Sequence, residues 1–462
     1  MLFLLESKEK GGCIDLSKII KSYDIRGIYP EQLNEEAAEE IAKRLCTYFA
    51  PKKIVIGRDA RLNSEKLKDA FIKGALESGV DVTDVGLVTT CMLYFADNLL
   101  NADFGIMITA SHNPINYGGI KINSAKNGPI YKESGIDKLL EAPKEYTKGV
   151  GKLEEKDIKE DYLRVISRHF EGVSGKFVLD TMHGATSVIV KQVFNRTGIE
   201  PIFISVDADG NFPGYKSPNP TLAVNQKLMM EELKKNPDAE LGLMWDGDGD
   251  RLVVFDEKGR FVSPNYITYL VAELVLQENP GTDIILDVRT SVMVRDKIES
   301  LGGKFTEVIA GNPFVKAKMR EENSVFGAET TGHYMFKETN YAEDSIIAAS
   351  YLIKAIEKEG RKLSQIVDDL NSKYFIITET NFEVPDKEAV FEKIKSECKD
   401  LHMYFLDGVT LEADDWRANI RASNTEPLIR LNLEARSKEK LDEKFKGMAD
   451  LIASMGGRLS EH

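Results

Sequence analysis

The chain has few cysteines and no long hydrophobic segment. Its four cysteines, Cys13, Cys46, Cys91 and Cys398, are scattered without a CxxC pair, which predicts reduced thiols and argues against a disulfide scaffold. No apolar run approaches the roughly 20 residues that a membrane-spanning helix needs. The opening MLFLL is followed at once by charged residues, so it is interpreted as a strand or a disordered leader and not as a secretory signal. These features together predict a cytoplasmic protein.

An excess of positive charge is also missing. The formal net charge is −14, so the summed field of the chain repels polyanions, which argues against nucleic acids and anionic membranes as partners. A small phosphorylated substrate remains compatible if positive groups are concentrated in one cleft. Of the 462 residues, 42% are hydrophobic and 29% are charged, which is typical of a globular enzyme with several domains.

Three segments repeat the order strand, polar loop, helix and strand. They begin KKIVIGRDAR, KFVLDTMHGA and DIILDVRTSV, and the three helices are expected to end at Gly79, at Gly198 and at Gly302 or Gly303. Strands that alternate with helices favour parallel, doubly wound sheets. The repetition therefore predicts three related α/β domains.

The pattern changes from about Lys373 to strand, helix, strand pair and terminal helix, which is typical of an α+β domain with an antiparallel sheet. The predicted fold is thus of the α/β class, with three related doubly wound α/β domains and a smaller C-terminal α+β domain around a central cleft. The predicted domains span residues 1–155, 156–260, 261–373 and 374–462.

Each predicted domain holds one loop whose residue types are not explained by packing. The first, Thr109-Ala110-Ser111-His112-Asn113-Pro114, follows a predicted strand, and open α/β sheets bind ligands at the carboxyl ends of their strands. Taken alone, Ser111 beside His112 is typical of a plain turn and does not indicate a catalytic triad.

The second loop, Asp246-Gly247-Asp248-Gly249-Asp250-Arg251, carries three carboxylates at alternate positions. They would repel one another unless a cation lay among them, and hard oxygen ligands select Mg²⁺ or Ca²⁺. An EF-hand, with Glu257 at its twelfth position, is rejected because Arg251 stands where the calcium loop needs glycine and because predicted strands flank the loop. The spacing therefore predicts a metal site.

The third loop, Gly327-Ala328-Glu329-Thr330-Thr331-Gly332-His333, offers a carboxylate that accepts two adjacent hydrogen bonds, which suits sugar hydroxyls. The fourth, Arg421-Ala422-Ser423-Asn424-Thr425-Glu426-Pro427, combines a guanidinium, hydroxyls and turn amides that suit a phosphate. Arg430 lies three residues past Pro427, and on an alternating strand its side chain would face either the same pocket or the solvent.

The motifs TASHNP, DGDGDR, GAETTGH and RASNTEP occur in the order typical of the α-D-phosphohexomutase family. The sequence most resembles the phosphomannomutase/phosphoglucomutase branch, and the resemblance runs from Tyr23-Asp24-Ile25-Arg26-Gly27 to the last helix. It implies an isomerase that interconverts hexose 1-phosphate and hexose 6-phosphate through a phosphoserine and a hexose 1,6-bisphosphate, with Mg²⁺ as cofactor. A monomer or a weak homodimer is expected.

The resemblance also implies roles for individual residues. Ser111 would carry the phosphoryl group and bind Mg²⁺ with Asp246, Asp248 and Asp250. Catalytic roles are implied for Ser111, His112, Lys121, Arg26 and His333, with Lys121 and His333 at positions of proton transfer. The implied substrate-binding residues are Tyr23, Arg251, Arg289, Glu329, Thr331, Arg421, Ser423, Asn424 and Thr425. Arg58 is a further candidate for positive charge in the cleft.

Some positions depart from the usual family pattern. Ala328 and Thr331 replace the more usual Gly and Ser, Arg289 stands where many members have Lys, and Ala310-Gly311-Asn312 replaces a Thr-Gly-His. These changes leave the choice of hexose open. The alternatives are a phosphoglucosamine mutase, against which Asn424 weighs, a metal-dependent phosphatase, and a catalytically silent sugar-phosphate-binding protein.

Overall fold

The architecture is given by a computed structural model, which describes residues 15–423 and 428–460. The MLFLL segment, Cys13, Asn424 and Thr425 lie outside these ranges. Over the described ranges, no helix is long and apolar enough to cross a membrane. The described residues form four sheets in succession. One large hydrophobic core joins the elements of the first three sheets, whereas the fourth sheet has a core of its own.

The first sheet is mixed, and its central parallel strands are covered by helices. Its strands are Ile25–Ile28, Lys53–Arg58, Asp81–Leu87, Phe104–Ile108, Tyr117–Ser124, Gly128–Pro129 and Leu153–Glu155. The α-helices are Glu35–Phe49, Ser64–Glu77 and Thr90–Leu99, and the 3₁₀ turns are Leu16–Lys18, Lys132–Ser134 and Ile136–Leu140. Strand Phe104–Ile108 is buried along its whole length, as expected for a strand with both faces covered.

The second sheet has the same plan with shorter helices. Its strands are Ser174–Asp180, Gly198–Ile204, Leu241–Trp245, Leu252–Asp256 and Phe261–Val262. Its α-helices are Lys159–Ile166, Val190–Phe194 and Lys227–Lys235, with 3₁₀ turns at Ser167–Phe170, Ala185–Val188 and Ala223–Asn225. The expectation for Gly198 is wrong, because this residue begins a strand and the preceding helix ends at Phe194 without it. Gly79 and Gly302 do have the left-handed φ values, 80° and 73°, that end a helix.

The third sheet repeats the plan again. Its strands are Asp283–Asp287, Lys304–Val308, Phe326–Ala328, Tyr334–Phe336 and Ala342–Glu343. Its α-helices are Pro264–Glu278, Val292–Ser300, Asn312–Glu322, Ser345–Glu359 and Leu363–Asn371, with a 3₁₀ turn at Lys337–Thr339.

The fourth sheet is antiparallel and carries two helices, as predicted for an α+β domain. Its strands are Phe375–Glu383, His402–Tyr404, Val409–Ala413, Trp416–Ala422, Leu428–Ala435 and Arg458–Leu459. The helices are Lys387–Glu397 and Lys438–Ser454. The predicted fold class is confirmed, although the first three sheets are mixed and not wholly parallel.

The four predicted functional loops occupy equivalent places in their sheets. In each of the first three sheets, the loop leaves a strand of the parallel set and returns in the adjacent antiparallel strand. In the fourth sheet, the described residues of the fourth loop, 421–423, lie at the carboxyl end of strand Trp416–Ala422, which pairs with Leu428–Ala435. The loops of the first three sheets lie at the carboxyl ends of parallel strands, where open α/β sheets bind ligands.

Candidate active site

The four loops meet around one cavity of about 460 Å³. Its wall contains residues from all four sheets. Among the predicted site residues, the cavity is lined by Tyr23, Arg26, Ser111, His112, Lys121, Asp250, Arg251, Arg289, Glu329, Thr331, His333, Arg421 and Ser423. Segments that are remote along the chain thus bring hydroxyl, carboxylate, imidazole and guanidinium groups to one place.

Ser111 is buried and held in an unusual backbone conformation. Its φ is 49°, in the left-handed region that non-glycine residues rarely adopt. The hydroxyl donates to Asp246 Oδ2 at 2.9 Å and lies 3.1 Å from His112 Nδ1. The first loop therefore directs its serine oxygen at the acidic loop of the second sheet.

The acidic loop places three fully buried carboxylates side by side. One oxygen from each of Asp246, Asp248 and Asp250 lies within 4.8 Å of the others. Burial, together with the negative charges of Asp250 and Asp248, raises the pKa of Asp246. Asp248 Oδ1 is buried and has no hydrogen-bond partner among the described residues. An unpartnered oxygen in a cluster of carboxylates fits a hard divalent cation, so the triad could bind a metal.

The glycines of this loop allow it to approach its neighbours. A Cβ on Gly247 would lie 2.7 Å from the Ser111 carbonyl oxygen, and Gly249 has a φ of 73°. Larger side chains at these positions would push the serine and acidic loops apart or strain the turn. The alternation of Asp and Gly therefore reflects both charge and close packing.

Lys121 and His333 flank the acidic triad. Lys121 Nζ donates to Asp248 Oδ2 at 2.7 Å and to Asp250 Oδ2 at 2.5 Å. Burial opposes the charge of Lys121, but the two carboxylates outweigh it and raise the pKa of Lys121 well above its ordinary value. His333 Nε2 lies 3.3 Å from Asp250 Oδ1, and its other ring nitrogen lies 2.9 Å from Glu329 Oε2. Burial is again outweighed, and these carboxylates raise the pKa of His333 to about 9.

The pKa of His112 is shifted in the opposite direction. The positive charge of Arg251, together with burial, lowers the pKa of His112 well below its ordinary value, so its imidazole is neutral at pH 7. Arg26 donates to Asn113 Oδ1 at 2.7 Å and to Asp24 Oδ2 at 2.8 Å, which places its guanidinium beside the serine loop. The cavity thus combines a neutral histidine next to Ser111 with a protonated one farther along its wall.

The third loop presents Glu329 and Thr331 to the cavity. Glu329 Oε1 accepts from the Gly311 amide at 3.0 Å, so the carboxylate is held by the loop that departs from the usual family pattern. Thr331 Oγ1 lies 3.1 Å from His333 Nδ1. Arg289 makes a two-point contact with Asp287, at 2.9 Å for both atom pairs, and lies 3.7 Å from Glu329 Oε1.

Tyr23 closes this side of the cavity from the first sheet. Its hydroxyl donates to the Ala310 carbonyl at 3.3 Å, and its ring packs edge-on against Phe314 at 5.7 Å between centroids. The segment 310–314, which leads into helix Asn312–Glu322, is therefore attached both to Glu329 and to the first domain.

The fourth loop contributes positive charge. Arg421 and Arg430 lie opposite each other on paired strands and both line the cavity, which settles the orientation of Arg430. Glu379 forms ion pairs with both guanidinium groups. Ser423 Oγ is buried without a hydrogen-bond partner in the part of the chain that the structure describes. Buried hydroxyls are usually hydrogen-bonded, so this oxygen is available to a polar ligand.

Four sequence families match consecutive parts of the chain. They are "Phosphoglucomutase/phosphomannomutase, alpha/beta/alpha domain I" at residues 17–148, the corresponding domain II at 145–259 and domain III at 263–374, and the C-terminal domain at 379–451. A phosphomannomutase of Methanocaldococcus jannaschii is 35% identical over 448 residues, which are 96% of this chain and 99% of the relative. The chain belongs to the phosphoglucomutase/phosphomannomutase family.

Other members of the family are similar over nearly the whole length. A phosphomannomutase of Escherichia coli K12 is 33% identical over 440 residues, 92% of this chain and 96% of that one. The crystal structure of a phosphoglucomutase/phosphomannomutase family protein from Burkholderia thailandensis superposes with a TM-score of 0.83 at 29% identity, covering 96% of this chain and 98% of that chain. The recognition of the family from four short motifs is thus confirmed.

The two arginines of the GRDAR segment both differ from expectation. The expectation for Arg58 is wrong, because it is not among the cavity-lining residues described and its guanidinium pairs with Glu65. Arg61, which sequence analysis missed, is buried and donates to the carbonyls of the serine loop. A charged residue just beyond a buried strand was a signal available in the sequence, but it did not distinguish Arg58 from Arg61.

Proposed function

We propose that this family member is a phosphomannomutase/phosphoglucomutase that interconverts hexose 1-phosphate and hexose 6-phosphate through a phosphorylated Ser111 and a hexose 1,6-bisphosphate. The observation that carries the proposal is the convergence of the four loops on one cavity. There, the Ser111 hydroxyl lies beside Asp246 of the acidic triad, and Arg421 of the fourth sheet lines the same space. A volume of about 460 Å³ falls within the range of roughly 300–1,000 Å³ typical of small-molecule sites.

Mg²⁺ is the proposed cofactor. Asp246, Asp248 and Asp250 would hold it together with an oxygen on Ser111, and the unpartnered Asp248 Oδ1 supports this ligand set. Bound Mg²⁺ supplies positive charge that stabilises the transferring phosphoryl group.

The chain's own residues account for the rest of the transfer. The bond between phosphorus and Ser111 Oγ breaks as a bond forms between phosphorus and the free C1 or C6 oxygen of the sugar. The transfer removes one proton from the sugar hydroxyl and returns one to the serine oxygen. Lys121 and His333 are the candidates for this proton transfer, and because both hold a proton in this arrangement, each can accept the sugar proton only after it has released its own. His112 Nδ1, at 3.1 Å from Ser111 Oγ, is placed to share that proton. The bisphosphate then turns end for end and returns its other phosphate to Ser111.

The arginine-rich side of the cavity would hold the phosphate that is not reacting. Arg421, Ser423, Asn424 and Thr425 form the proposed cradle, which must accept either end of the sugar and therefore recognises charge more than sugar shape. Glu329 and Thr331 would contact the sugar, with Tyr23, Arg26, Arg251 and Arg289 around it. Glucose and mannose share the equatorial hydroxyls at C3 and C4, so we expect both to react, and galactose to react poorly.

A cytoplasmic location and a monomer or weak homodimer complete the proposal. Cys46, Cys91 and Cys398 are free thiols, which is typical of a reducing compartment.

The decisive experiment measures the intact mass of the purified protein before and after hexose 1-phosphate is added. We expect a phosphoryl group on Ser111 that the sugar phosphate removes, and mutase turnover that Ser111→Ala abolishes while Ser134→Ala, on the surface of the same domain, leaves it intact. Phosphorus NMR with the 1-phosphates of mannose, glucose and N-acetylglucosamine separates the amino-sugar alternative. Normal turnover by Ser111→Ala, or release of inorganic phosphate in place of a hexose phosphate, would overturn the proposal.

A further inference from the structure

Two charged side chains that follow strand Lys53–Arg58 are buried beneath the serine loop. Asp59 is fully buried and Arg61 is 2% exposed. Neither is among the described residues that line the cavity, so neither is placed to touch the sugar phosphate. Buried charges are costly unless they are paired and hydrogen-bonded, which raises the question of what this pair holds.

The guanidinium of Arg61 donates hydrogen bonds to several backbone carbonyls of the serine loop. Nη2 lies 2.7 Å from both the Ser111 and the Asn113 carbonyl oxygens, and Nη1 lies 2.7 Å from the Pro114 carbonyl oxygen. Its longer contacts, 3.4 Å and 3.3 Å, reach the carbonyls of Ile115 and Tyr117. A planar group with fixed donors can fix several acceptors in one arrangement, which the single ammonium of a lysine cannot do.

Asp59 holds the amide side of the same residue, Ser111, through Thr109. Its Oδ2 accepts from Thr109 Oγ1 at 2.7 Å, and Thr109 Oγ1 in turn accepts from the Ser111 amide at 2.8 Å. Arg61 Nε lies 3.3 Å from the same Asp59 oxygen. The amide and the carbonyl of Ser111 are therefore both fixed by side chains that lead back to Asp59 and Arg61.

This arrangement explains how Ser111 keeps its left-handed backbone. A φ of 49° is disfavoured for a residue with a Cβ and persists only where the surroundings impose it. In this conformation the hydroxyl reaches Asp246 Oδ2 at 2.9 Å. Without the two contacts, the backbone could relax and the oxygen would turn away from the acidic triad.

The segment Asp59–Arg61 also contacts the second domain. The Arg61 guanidinium carbon lies 5.6 Å from the centre of the Phe212 ring, and a Cβ on Gly210 would lie 2.5 Å from the Ala60 carbonyl oxygen. The segment Asp59–Arg61 therefore lies at the interface between the domain that carries Ser111 and the domain that carries the acidic triad.

We propose that Arg61 and Asp59 are positioning residues that hold Ser111 in its left-handed conformation and so align the transferable phosphoryl group with the acidic triad and the sugar. The inference rests on the proposed role of Ser111. Because the phosphate cradle lies on another domain, loss of Arg61 should lower kcat and leave KM for the sugar phosphate nearly unchanged.

Arg61→Lys tests this inference, with Arg58→Lys as the matched control from the same segment. We expect Arg61→Lys to lower kcat at least about tenfold and up to about 100-fold, as misplacement of a reacting group by about 1 Å does, with KM within threefold. Hydrogen exchange of the amides at 111–117 should quicken in Arg61→Lys and not in Arg58→Lys. A kcat within threefold of the unmodified protein, a rise in KM in place of a fall in kcat, or unchanged exchange would each overturn the inference.

Thr109→Val provides a second test that keeps the buried arginine. It removes the hydroxyl that joins Asp59 to the Ser111 amide, and the same loss of kcat at constant KM is expected even if Arg61→Lys fails to fold. Normal kcat in Thr109→Val would contradict the inference. Absence of mutase turnover and of phosphoserine in the unmodified protein would instead refute the proposed function, while the exchange rates at 111–117 would still test the positioning contacts.

Discussion

At the scale of single residues, the ammonium group of Lys121 and a divalent cation compete for the same carboxylates. Lys121 Nζ lies 2.7 Å from Asp248 Oδ2 and 2.5 Å from Asp250 Oδ2, so it contacts two of the three carboxylates that are proposed to hold a divalent cation. The ammonium therefore neutralises the acidic triad in the absence of a metal and opposes the binding of one.

Lys121→Met is accordingly expected to raise the affinity for Mg²⁺ while it lowers turnover. Removing one charge-assisted contact changes a binding free energy by ~1.5 kcal/mol, which is about tenfold in affinity. Isothermal titration calorimetry with MgCl₂ measures this directly, and Lys126→Met, on an exposed lysine of the same domain, serves as the control. A weaker affinity for Mg²⁺ in Lys121→Met would show that the lysine supports the metal site and does not compete with it.

The arginines of the fourth sheet share one counterion. Glu379 pairs with both Arg421 and Arg430, so truncation of Arg421 would remove the proposed phosphate contact and also leave the Glu379 carboxylate less neutralised beside the proposed phosphate site. We expect Arg421→Ala to raise KM for the hexose phosphate by about tenfold or more, since a charge-assisted contact contributes ~1.5–3 kcal/mol.

Steady-state kinetics with glucose 1-phosphate and mannose 1-phosphate check this prediction. Arg458→Ala removes an exposed arginine of the same domain, which pairs only with Glu383 among the described contacts, and should leave KM unchanged. If KM stays the same in Arg421→Ala, the arginine is not part of the phosphate cradle.

At the scale of secondary-structure elements, helix Thr90–Leu99 lies very close to strand Phe104–Ile108. A Cβ on Gly105 would lie 2.6 Å from Asp97 Oδ2, so the absence of a side chain there makes room for this carboxylate. Burial raises the pKa of Asp97 to about 7, although hydrogen bonds from Asn123 and Asn98 and the charges of Arg320 and Lys316 oppose the shift. The contact between helix and strand thus contains an acid that titrates near pH 7 in the folded state and is protonated below it.

This pKa makes the stability of the fold depend on pH. The folded pKa of Asp97 exceeds the unfolded value of 3.8, so the stability it contributes is complete below about pH 4 and is lost as pH rises through about 7. Relative to Asp97→Asn, the free energy of unfolding of the unmodified protein should fall by roughly 2–3 kcal/mol between pH 5 and pH 8, at ~1.4 kcal/mol for each unit of pH up to about pH 7 and little above it.

Urea denaturation at the two pH values measures this difference. Asp69→Asn replaces an exposed carboxylate on the neighbouring helix and should keep the pH dependence of the unmodified protein. Parallel pH profiles for Asp97→Asn and the unmodified protein would mean that Asp97 is ionised in the folded state.

The elements that sequence predicted well are those with a strong hydrophobic pattern. Buried strands such as Phe104–Ile108 and Leu241–Trp245 are continuous apolar runs, and the loops after them were found because Ser111 and the acidic triad make poor packing residues. Gly198 was misplaced because a glycine can begin a strand as well as end a helix. The partners of Asp59 and Arg61 were not predictable, since their contacts cross about 50 residues of sequence and depend on how the loop folds back. The predicted domain boundaries and the roles of the site residues stay predictions.

At the scale of the whole molecule, the fourth domain docks on the third through buried ionic groups. Glu434 accepts from the Ser291 hydroxyl at 2.6 Å and from the Val292 amide at 3.0 Å, at the start of helix Val292–Ser300, where a negative charge is favourable. Arg417, beside it, donates to the Val288 carbonyl at 2.7 Å and to Glu307 at 2.8 Å. These contacts hold the sheet that carries Arg421 over the cavity.

The proposed mechanism requires this docking to be reversible, because a bisphosphate intermediate could not turn while both of its phosphates are held. We expect Glu434→Ala to loosen the fourth domain and to raise KM several-fold, since loss of a buried charged hydrogen-bond acceptor costs ~1.5–3 kcal/mol. Unlike Arg421→Ala, this variant should also speed hydrogen exchange in helix Val292–Ser300 and in strand Trp416–Ala422.

The two measurements together separate docking from phosphate binding. Glu439→Ala, which removes a carboxylate from the surface helix Lys438–Ser454, should change neither exchange nor KM. A faster exchange without a change in KM would mean that the cradle closes on the phosphate regardless of the Glu434 contact, because the substrate itself then supplies the energy of docking. If hydrogen exchange is unchanged in Glu434→Ala, Glu434 does not contribute to the docking of the fourth domain. Arg417 would then be the group that holds this domain in place.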